Sequence, residues 1–171
     1  LNDRRDEYGG SLENRCRLHL DIAREVAAAI GKERVGIRLS PHGQANDMRP
    51  DPEPMATYGY LAEELQKLGL VYLHLYDQST SWIHDPDDAL LRLLRGKFTN
   101  ALMLCGGFTG NKAEAALATG SGDLIAIGKP FISNPDLVSR LRQGVEIASW
   151  DSKTFYLGGH SGYLDYPTFS A

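Results

Sequence analysis

The chain has 171 residues, of which 42% are hydrophobic and 23% charged, a composition typical of a folded globular chain and not of a disordered or fibrous one. Its 18 Lys and Arg residues against 22 Asp and Glu residues give a net charge of −4, which does not indicate a nucleic-acid partner. No segment approaches the roughly 18 apolar residues of a membrane span, so no membrane partner is expected either.

Short strands and helices are predicted to alternate along most of the chain. Ser11 and Gly31 are placed to begin and end a first helix, whose apolar residues recur at helical spacing. Four strands follow, each succeeded by an amphipathic helix. The predicted strands cover 34–40, 71–76, 101–104 and 124–127, and the helices cover 58–68, 85–94, 112–119 and 134–144. The helix that begins at Asp85-Pro86 is expected to bury Ala89, Leu90, Leu93 and Leu94.

This alternation implies parallel strands joined by right-handed helical crossovers. Two α/β architectures fit it, an open doubly wound sheet and part of a (β/α)8 barrel. No Gly-x-Gly-x-x-Gly fingerprint follows the first strand, whereas glycines follow the last two strands, where barrels commonly bind phosphate. A complete barrel takes about 250 residues, so this chain would hold about half of one.

The glycines after the last two predicted strands form two candidate phosphate loops, Gly106-Gly107 and Gly128-Lys129. Glycine lets backbone N–H groups approach a phosphate closely, and a neighbouring lysine adds positive charge. The same glycines could equally serve only to turn the chain after a strand.

Arg38 lies in the first predicted strand, on the face opposite Val35, Ile37 and Leu39. An arginine inside a parallel sheet is costly unless its charge is satisfied. Arg38 is therefore either a cation directed at a polar or anionic ligand or one half of a structural ion pair.

The other polar residues form no recognisable catalytic or metal-binding motif. The five histidines lack metal-ligand spacing, so no metal site is expected, and His74 is interpreted as a satisfied buried histidine. Trp82, in the loop after the second strand, could cover a pocket or, if exposed, contact a partner. Cys16 and Cys105 are too far apart for a Cys-x-x-Cys motif, and the N-terminus has no signal-peptide-like segment, so a reduced, cytoplasmic protein is expected.

Several segments together resemble the Old Yellow Enzyme family of FMN-dependent ene-reductases, which are TIM-barrel flavin oxidoreductases. The matching motifs stand in family order at 6–15, 35–41, 106–109, 128–137, 154–159 and 162–167. The resemblance covers the C-terminal half of the family's barrel, so the strands here would be the fifth to the eighth. It implies an α/β fold, half of a (β/α)8 TIM barrel in a single domain, 1–171. The parts of that domain would be an entry loop and helix (1–31), four βα units (34–144) and an aromatic tail (145–171).

The resemblance also implies roles for individual residues. Arg38 would face the N1/C2-carbonyl edge of FMN and stabilise negative charge on the reduced ring, a catalytic role. Tyr156 is likewise expected to be catalytic and, with Phe155, to lie against the flavin and the substrate. Trp82 would shape the substrate pocket. The other cofactor-binding residues would be Gly106, Gly107, Phe108, Gly128 and Lys129. Of these, the glycines and the lysine would hold the FMN phosphate.

Two departures from the family pattern bear on activity. Lys129 stands where the family usually has arginine, which keeps the charge but loses bidentate phosphate geometry. The family's substrate-carbonyl clamp is a His-x-x-Asn or His-x-x-His pair, and neither occurs in this chain. Proton delivery to a substrate is therefore expected to be impaired.

Half a barrel would leave the barrel-lining face of its sheet bare and two strand edges unpaired. An exposed apolar sheet face is a site of association. We therefore expect a homodimer that closes an eight-stranded pseudo-barrel, or binding to a complementary N-terminal half-barrel.

The function implied by the resemblance is that of an FMN-binding flavoprotein that moves hydride from NADPH or NADH through the flavin to an activated alkene, a quinone or oxygen. A function of another class is a non-catalytic half-barrel scaffold or fragment that self-associates, with at most residual flavin binding. A third hypothesis, with less support, is a phosphosugar enzyme that uses the same phosphate loops.

Overall fold

Four parallel strands form one sheet in the first part of the chain. The structure, a computed structural model, describes residues 2–44, 48–79 and 81–169, which divide into two units, Leu1–Ala126 and Ile127–Ala171. The sheet lies in the first unit, in the order β1-β2-β3-β4, and each neighbouring pair is parallel. The strands are β1 (Gly36–Leu39), β2 (Tyr72–Tyr76), β3 (Ala101–Cys105) and β4 (Leu124–Ala126).

The strand order distinguishes between the two predicted architectures. A doubly wound sheet reverses its strand order at a switch point, whereas successive strands of a (β/α) barrel are neighbours throughout. The consecutive order observed here is that of a barrel. Three strands lie within their predicted ranges, and β3 extends one residue further, to Cys105.

The core of the first unit lies on one face of this sheet. Alternate residues of a strand point to opposite faces, and the leucines on this face are at most 4% exposed: Leu39, Leu73, Leu75, Leu102 and Leu104. Four helices accompany the strands, namely α1 (Leu12–Ile30), α2 (Pro54–Leu68), α3 (Ala89–Lys97) and α4 (Gly110–Ala118). Their buried apolar residues complete the core, chiefly Leu61, Ala62 and Leu65 of α2 and Leu90, Leu91 and Leu94 of α3.

The opposite face of the sheet is only partly covered, as the half-barrel prediction requires. We call six residues of this face the open face: Arg38, which is exposed, and Tyr72, His74, Tyr76, Met103 and Cys105, which are half-buried. In an all-parallel sheet both faces are normally covered. The open face is therefore a surface that a ligand or a partner can reach.

The third helix begins later than its sequence predicts. It starts at Ala89 and not at Asp85-Pro86, because the Asp88 carboxylate accepts hydrogen bonds from the backbone N–H groups of Leu90 and Leu91 and caps the helix there. The buried face also differs from the predicted one, because Ala89 is exposed and Leu93 half-buried, whereas Leu91 lies in the core.

The second unit contains two short helices and an irregular tail. Helix α5 (Lys129–Ser133) was not expected from the sequence, whereas α6 (Leu137–Gln143) lies within its predicted range. Two buried polar side chains hold the tail. The Asn134 amide donates to the Ala148 carbonyl and accepts from its N–H, and the Arg140 guanidinium donates to the Glu146 and Pro167 carbonyls.

Two predictions concern the chain as a whole. In the described ranges no helix is long and apolar enough to cross a membrane. The assignment of residues 1–171 to a single domain stays a prediction.

Candidate functional site

Arg38 lies within β1, and its side chain is exposed on the open face. The guanidinium carbon is 4.2 Å from the centre of the Tyr76 ring, on the neighbouring strand β2. Among residues 2–44, 48–79 and 81–169, Arg38 has no salt-bridge partner and no side-chain hydrogen bond. The structural ion pair considered above is therefore not seen in these ranges, and the guanidinium N–H groups remain available to a ligand.

The neighbours of Arg38 on the open face are neutral. His74 is the register partner of Arg38 in β2, and burial together with the positive charge of Arg38 lowers the His74 pKa from 6.5. Burial raises the pKa of the Cys105 thiol, an effect that Arg38 partly opposes. The buried Nε2 atom of His74 has no partner in the described part of the chain, and the side chain is only half-buried, so the interpretation of His74 as a satisfied buried histidine is wrong there.

The loop after β2 is organised by Asp77, which is 1% exposed. Its carboxylate accepts hydrogen bonds from the Ser79 N–H (2.8 Å), the Ser79 hydroxyl (2.6 Å), the Ser81 N–H (2.6 Å) and the Ile83 N–H (3.3 Å). This arrangement supports the short 3-10 helix Trp82–His84. Four accepted bonds explain why an isolated carboxylate is tolerated in the interior.

Trp82 is buried, with 8% of its surface exposed, and its ring lies edge-on to His42 at 5.5 Å. The alternative of an exposed indole that contacts a partner is therefore wrong. Asp77 accepts hydrogen bonds from the loop that carries Trp82, and the indole packs against His42 of the loop after β1. A role of Trp82 in shaping a substrate pocket stays a prediction.

Gly106 and Gly107 follow β3, and the structure supplies local reasons for both. A Cβ on Gly106 would lie 2.6 Å from the Asp77 carbonyl oxygen, so the close approach of two loops requires glycine there. Gly107 has a φ of 61°, in the left-handed region that favours glycine. The loops are joined by a hydrogen bond of 2.8 Å from the Asp77 N–H to the Cys105 carbonyl. Chain turning is thus sufficient to explain these two glycines.

Phe108 is 4% exposed, and its ring packs edge-to-face against His84 at 4.4 Å between centroids. Burial and the charge of Lys112 lower the pKa of His84. The Phe108 side chain thus belongs to the core, which leaves its backbone as the part that could face a cofactor.

Gly128 and Lys129 lie in the second unit and differ from the other glycine loop. Gly128 has an ordinary φ of −100°, and a Cβ placed on it would meet no atom within 4 Å. Neither backbone strain nor packing therefore calls for glycine here, whereas close approach by a ligand would. Lys129, the first residue of α5, is exposed.

Phe155 and Tyr156 also lie in the second unit. Phe155 is half-buried, Tyr156 is 97% exposed, and their rings meet edge-on with centroids 6.5 Å apart. Tyr156 has a φ of 61°, a strained conformation for an aromatic residue, and its N–H donates to the Tyr163 hydroxyl at 3.0 Å. Backbone strain of this kind is concentrated at functional sites, which supports the predicted role of Tyr156.

The site contains two residues that the sequence did not single out, Tyr76 and Asp77. Tyr76 reaches Arg38 only through the register of β1 on β2, which periodicity does not reveal. The Asp-x-Ser-x-Ser pattern at 77–81 was a usable signal for Asp77, because aspartate commonly accepts from backbone N–H groups two residues on. No group of three or more potential metal ligands occurs among the residues that the structure describes.

Comparison with known proteins gives matches over nearly the whole chain. The family model of the NADH:flavin oxidoreductase / NADH oxidase family matches residues 1–147. The 12-oxophytodienoate reductase 7 of Oryza sativa subsp. japonica is 41% identical over 182 residues, which span 98% of this chain and 46% of the relative. The 12-oxophytodienoate reductase 2 of Arabidopsis thaliana is 37% identical over 174 residues, spanning 100% of this chain and 46% of the relative.

Solved structures agree with the sequence matches. Morphinone reductase in complex with tetrahydroNAD superimposes with a TM-score of 0.90 at 40% identity, covering 99% of this chain and 45% of that enzyme. The Old Yellow Enzyme homologue from Zymomonas mobilis superimposes with a TM-score of 0.89 at 36% identity, covering 97% of this chain and 47% of the homologue. The chain thus spans about half the length of the relatives it matches, and its fold is half of their TIM barrel. From its motifs, its strand order and these matches, the chain belongs to the Old Yellow Enzyme family of NADH:flavin oxidoreductases.

Proposed function

We propose that this chain binds FMN and serves, as a C-terminal half-barrel, in an ene-reductase-type reaction driven by NADPH or NADH. The acceptor would be an activated alkene, a quinone or oxygen. One observation carries the proposal: Arg38 is exposed on the open face, and no carboxylate pairs with it in the described ranges. An arginine that is stacked on an aromatic ring and has unused N–H donors suits a ligand that develops negative charge.

The residues present fit FMN in kind. Arg38 offers planar N–H donors to the N1/C2-carbonyl edge of the flavin ring, and the open backbone at Gly128 with the ammonium of Lys129 offers a phosphate site. When bound, FMN supplies hydride transfer between reduced nicotinamide and the acceptor. Gly106 and Gly107 remain proposed phosphate ligands through their backbone N–H groups.

Arg38 would act electrostatically. Its guanidinium would present a positive charge to the part of the flavin ring that carries negative charge when reduced. Because His74 and Cys105 beside it are neutral, no neighbouring anion on the open face offsets that charge.

Proton delivery is the step that this chain is least equipped to perform. It contains no His-x-x-Asn or His-x-x-His clamp for a substrate carbonyl. Tyr156, with its exposed hydroxyl, is the proposed catalytic residue on the substrate side. We infer that residues 1–171 alone reduce alkenes slowly and favour quinones or oxygen, which need no positioned proton donor.

The open face is the proposed site of a second half-barrel. A second copy of this chain, or a complementary N-terminal half-barrel, would cover it and pair with the free edges of β1 and β4. A cytoplasmic location, inferred from the two free cysteines, belongs to the same proposal.

The test is the affinity for FMN of the Arg38→Met variant, measured by titrating flavin fluorescence. Loss of a charge-assisted hydrogen bond is expected to weaken FMN binding about tenfold or more. Arg34→Met is the matched control, because Arg34 is an exposed arginine just before the same strand whose guanidinium has Glu33 as its one salt-bridge partner among the described residues. Equal FMN affinity of the Arg38→Met variant and the unmodified protein would contradict the proposal.

The alternative is a non-catalytic half-barrel that self-associates. It is favoured by a row of exposed apolar residues on α1, namely Leu18, Ile22, Val26 and Ile30. Gel filtration that records protein mass and flavin absorbance together separates the two functions. Flavin that co-elutes with the protein supports the flavoprotein, and a colourless assembly supports the scaffold.

A further inference from the structure

The stack between Arg38 and Tyr76 follows from the register of two strands. Arg38 is paired with His74, and Tyr76 lies two residues further along β2 on the same face. The guanidinium, 4.2 Å from the centre of the Tyr76 ring, therefore leans toward the carboxyl end of the sheet. Ligands of parallel α/β folds bind at that end.

Stacking holds a guanidinium differently from an ion pair. A carboxylate partner occupies the N–H donors along the edge of the group, whereas an aromatic ring covers only its flat face. In the described part of the chain no carboxylate or carbonyl accepts a hydrogen bond from Arg38, and its guanidinium contacts the ring of Tyr76. The edge donors are left for a ligand.

We propose that Tyr76 is a positioning residue for Arg38, which it holds by cation–π stacking with the N–H edge free to meet the N1/C2-carbonyl edge of a bound flavin. This inference rests on the proposed function of Arg38 and adds the device that orients it. The ring of Tyr76 carries the effect, because its hydroxyl makes no hydrogen bond among the described residues. Phenylalanine at position 76 should therefore preserve the orientation of Arg38, whereas leucine should not.

The first test needs no flavin. Protons held over the face of an aromatic ring are shifted upfield, so the Nε–H and Cδ–H signals of Arg38 are assigned by NMR in the unmodified protein and its variants. The upfield shift is expected to persist in Tyr76→Phe and to disappear in Tyr76→Leu. An Arg38 spectrum that is identical in Tyr76→Leu and in the unmodified protein would overturn the inference.

The second test measures FMN affinity and the flavin reduction potential. An exposed cation–π contact corresponds to about a two- to fivefold change in affinity, so Tyr76→Leu is expected to weaken FMN binding by that factor and to lower the potential. Tyr76→Phe should retain both values. Tyr72→Leu is the matched control, since Tyr72 lies on the same strand and face but packs against Gly36.

A double-mutant cycle separates failure of this inference from failure of the proposed function. In an Arg38→Met background, Tyr76→Leu should have no further effect on FMN affinity, because the two residues act as one unit. If Arg38→Met weakens FMN binding and Tyr76→Leu does not, only the positioning role of Tyr76 is overturned. If Arg38→Met itself has no effect, the proposed function fails, while the NMR comparison still decides whether the stack exists.

Discussion

At the scale of single residues, the structure gives different reasons for glycines that look alike in the sequence. Gly106 is needed where two loops approach each other, since a Cβ there would lie 2.6 Å from the Asp77 carbonyl oxygen. Gly128 has an ordinary backbone conformation, with open space where a side chain would stand. One glycine is explained by packing and the other is not, which makes Gly128 the better candidate for contact with a phosphate.

Replacing these two glycines should therefore have opposite effects. Gly128→Leu is expected to leave the free energy of unfolding within about 0.5 kcal/mol but to weaken FMN binding, because the side chain fills the space over the backbone. Gly106→Ala is expected to lower the free energy of unfolding by about 1–3 kcal/mol through the forced clash. Urea denaturation and FMN titration check both. A Gly128→Leu variant with unchanged FMN affinity would remove Gly128 from the phosphate site.

At the scale of elements, a charged cluster joins the end of α3 to the start of β4. Asp123 accepts from the Leu102 N–H at 2.8 Å and from Arg95 at 2.5 Å, and Arg95 also donates to the carbonyls of Phe98 and Asn100. These bonds satisfy backbone groups where β3 and β4 begin. The cluster thereby fixes the spacing of two neighbouring strands at the end of the sheet opposite the candidate site.

This cluster predicts an acid-sensitive contribution to stability. The hydrogen bond from Leu102 and the contact with Arg95 lower the pKa of Asp123 from 3.8 in the folded chain. Because the folded value lies below the unfolded one, the contribution is complete above pH ~4 and is lost as the pH falls through the folded value.

Chemical denaturation between pH 7 and pH 2 measures the effect. Asp123→Asn is expected to lower the free energy of unfolding at pH 7 and to reduce its dependence on pH below about 4. The matched control is Asp87→Asn, an exposed aspartate whose side chain forms an ion pair with Arg92 of α3. An acid profile of Asp123→Asn that parallels the unmodified protein would refute the assignment.

At the scale of the whole molecule, the question is what covers the surfaces that half a barrel leaves exposed. Helix α1 has one such exposed surface. Its first half is buried through Cys16 and Leu20, whereas Ile22 is 54% and Ile30 50% exposed. Residues four apart lie on one helix face, so Leu18, Ile22, Val26 and Ile30 form a continuous apolar stripe on α1.

Association through this stripe is expected of the self-associating half-barrel and can be tested by sedimentation equilibrium. Ile22→Glu places a charge in the stripe and should weaken dimerisation about tenfold or more, because the charge would be buried unpaired. Ala28→Glu puts the same charge on another exposed face of α1 and should leave the mass unchanged. A protein that is monomeric at every concentration, with or without FMN, would contradict the homodimer and leave the complementary half-barrel as the proposed partner.

The alternation of elements and the motifs of the family could be predicted from the sequence, and the physical reason is that both are local. Apolar periodicity and end signals such as Ser11 and Gly31 act within a few residues, so the strands and α1 lie close to their predicted bounds. Local competition explains where the prediction was wrong. Both Asp85, which precedes Pro86, and Asp88 are residues at which a helix could begin. The helix begins after Asp88, whose carboxylate accepts hydrogen bonds from the N–H groups of Leu90 and Leu91.

By itself the sequence determined the family, the parallel half-barrel and the face on which Arg38 lies, because motif order and strand periodicity are properties of the chain. Only the tertiary structure decided what Arg38 contacts, why Gly106 is glycine and that Trp82 is buried. Each of these depends on residues brought together by strand register or loop packing, Tyr76 for Arg38 and Asp77 for the two loops. Such contacts join positions some 30 to 40 residues apart, and their geometry arises only when the sheet forms.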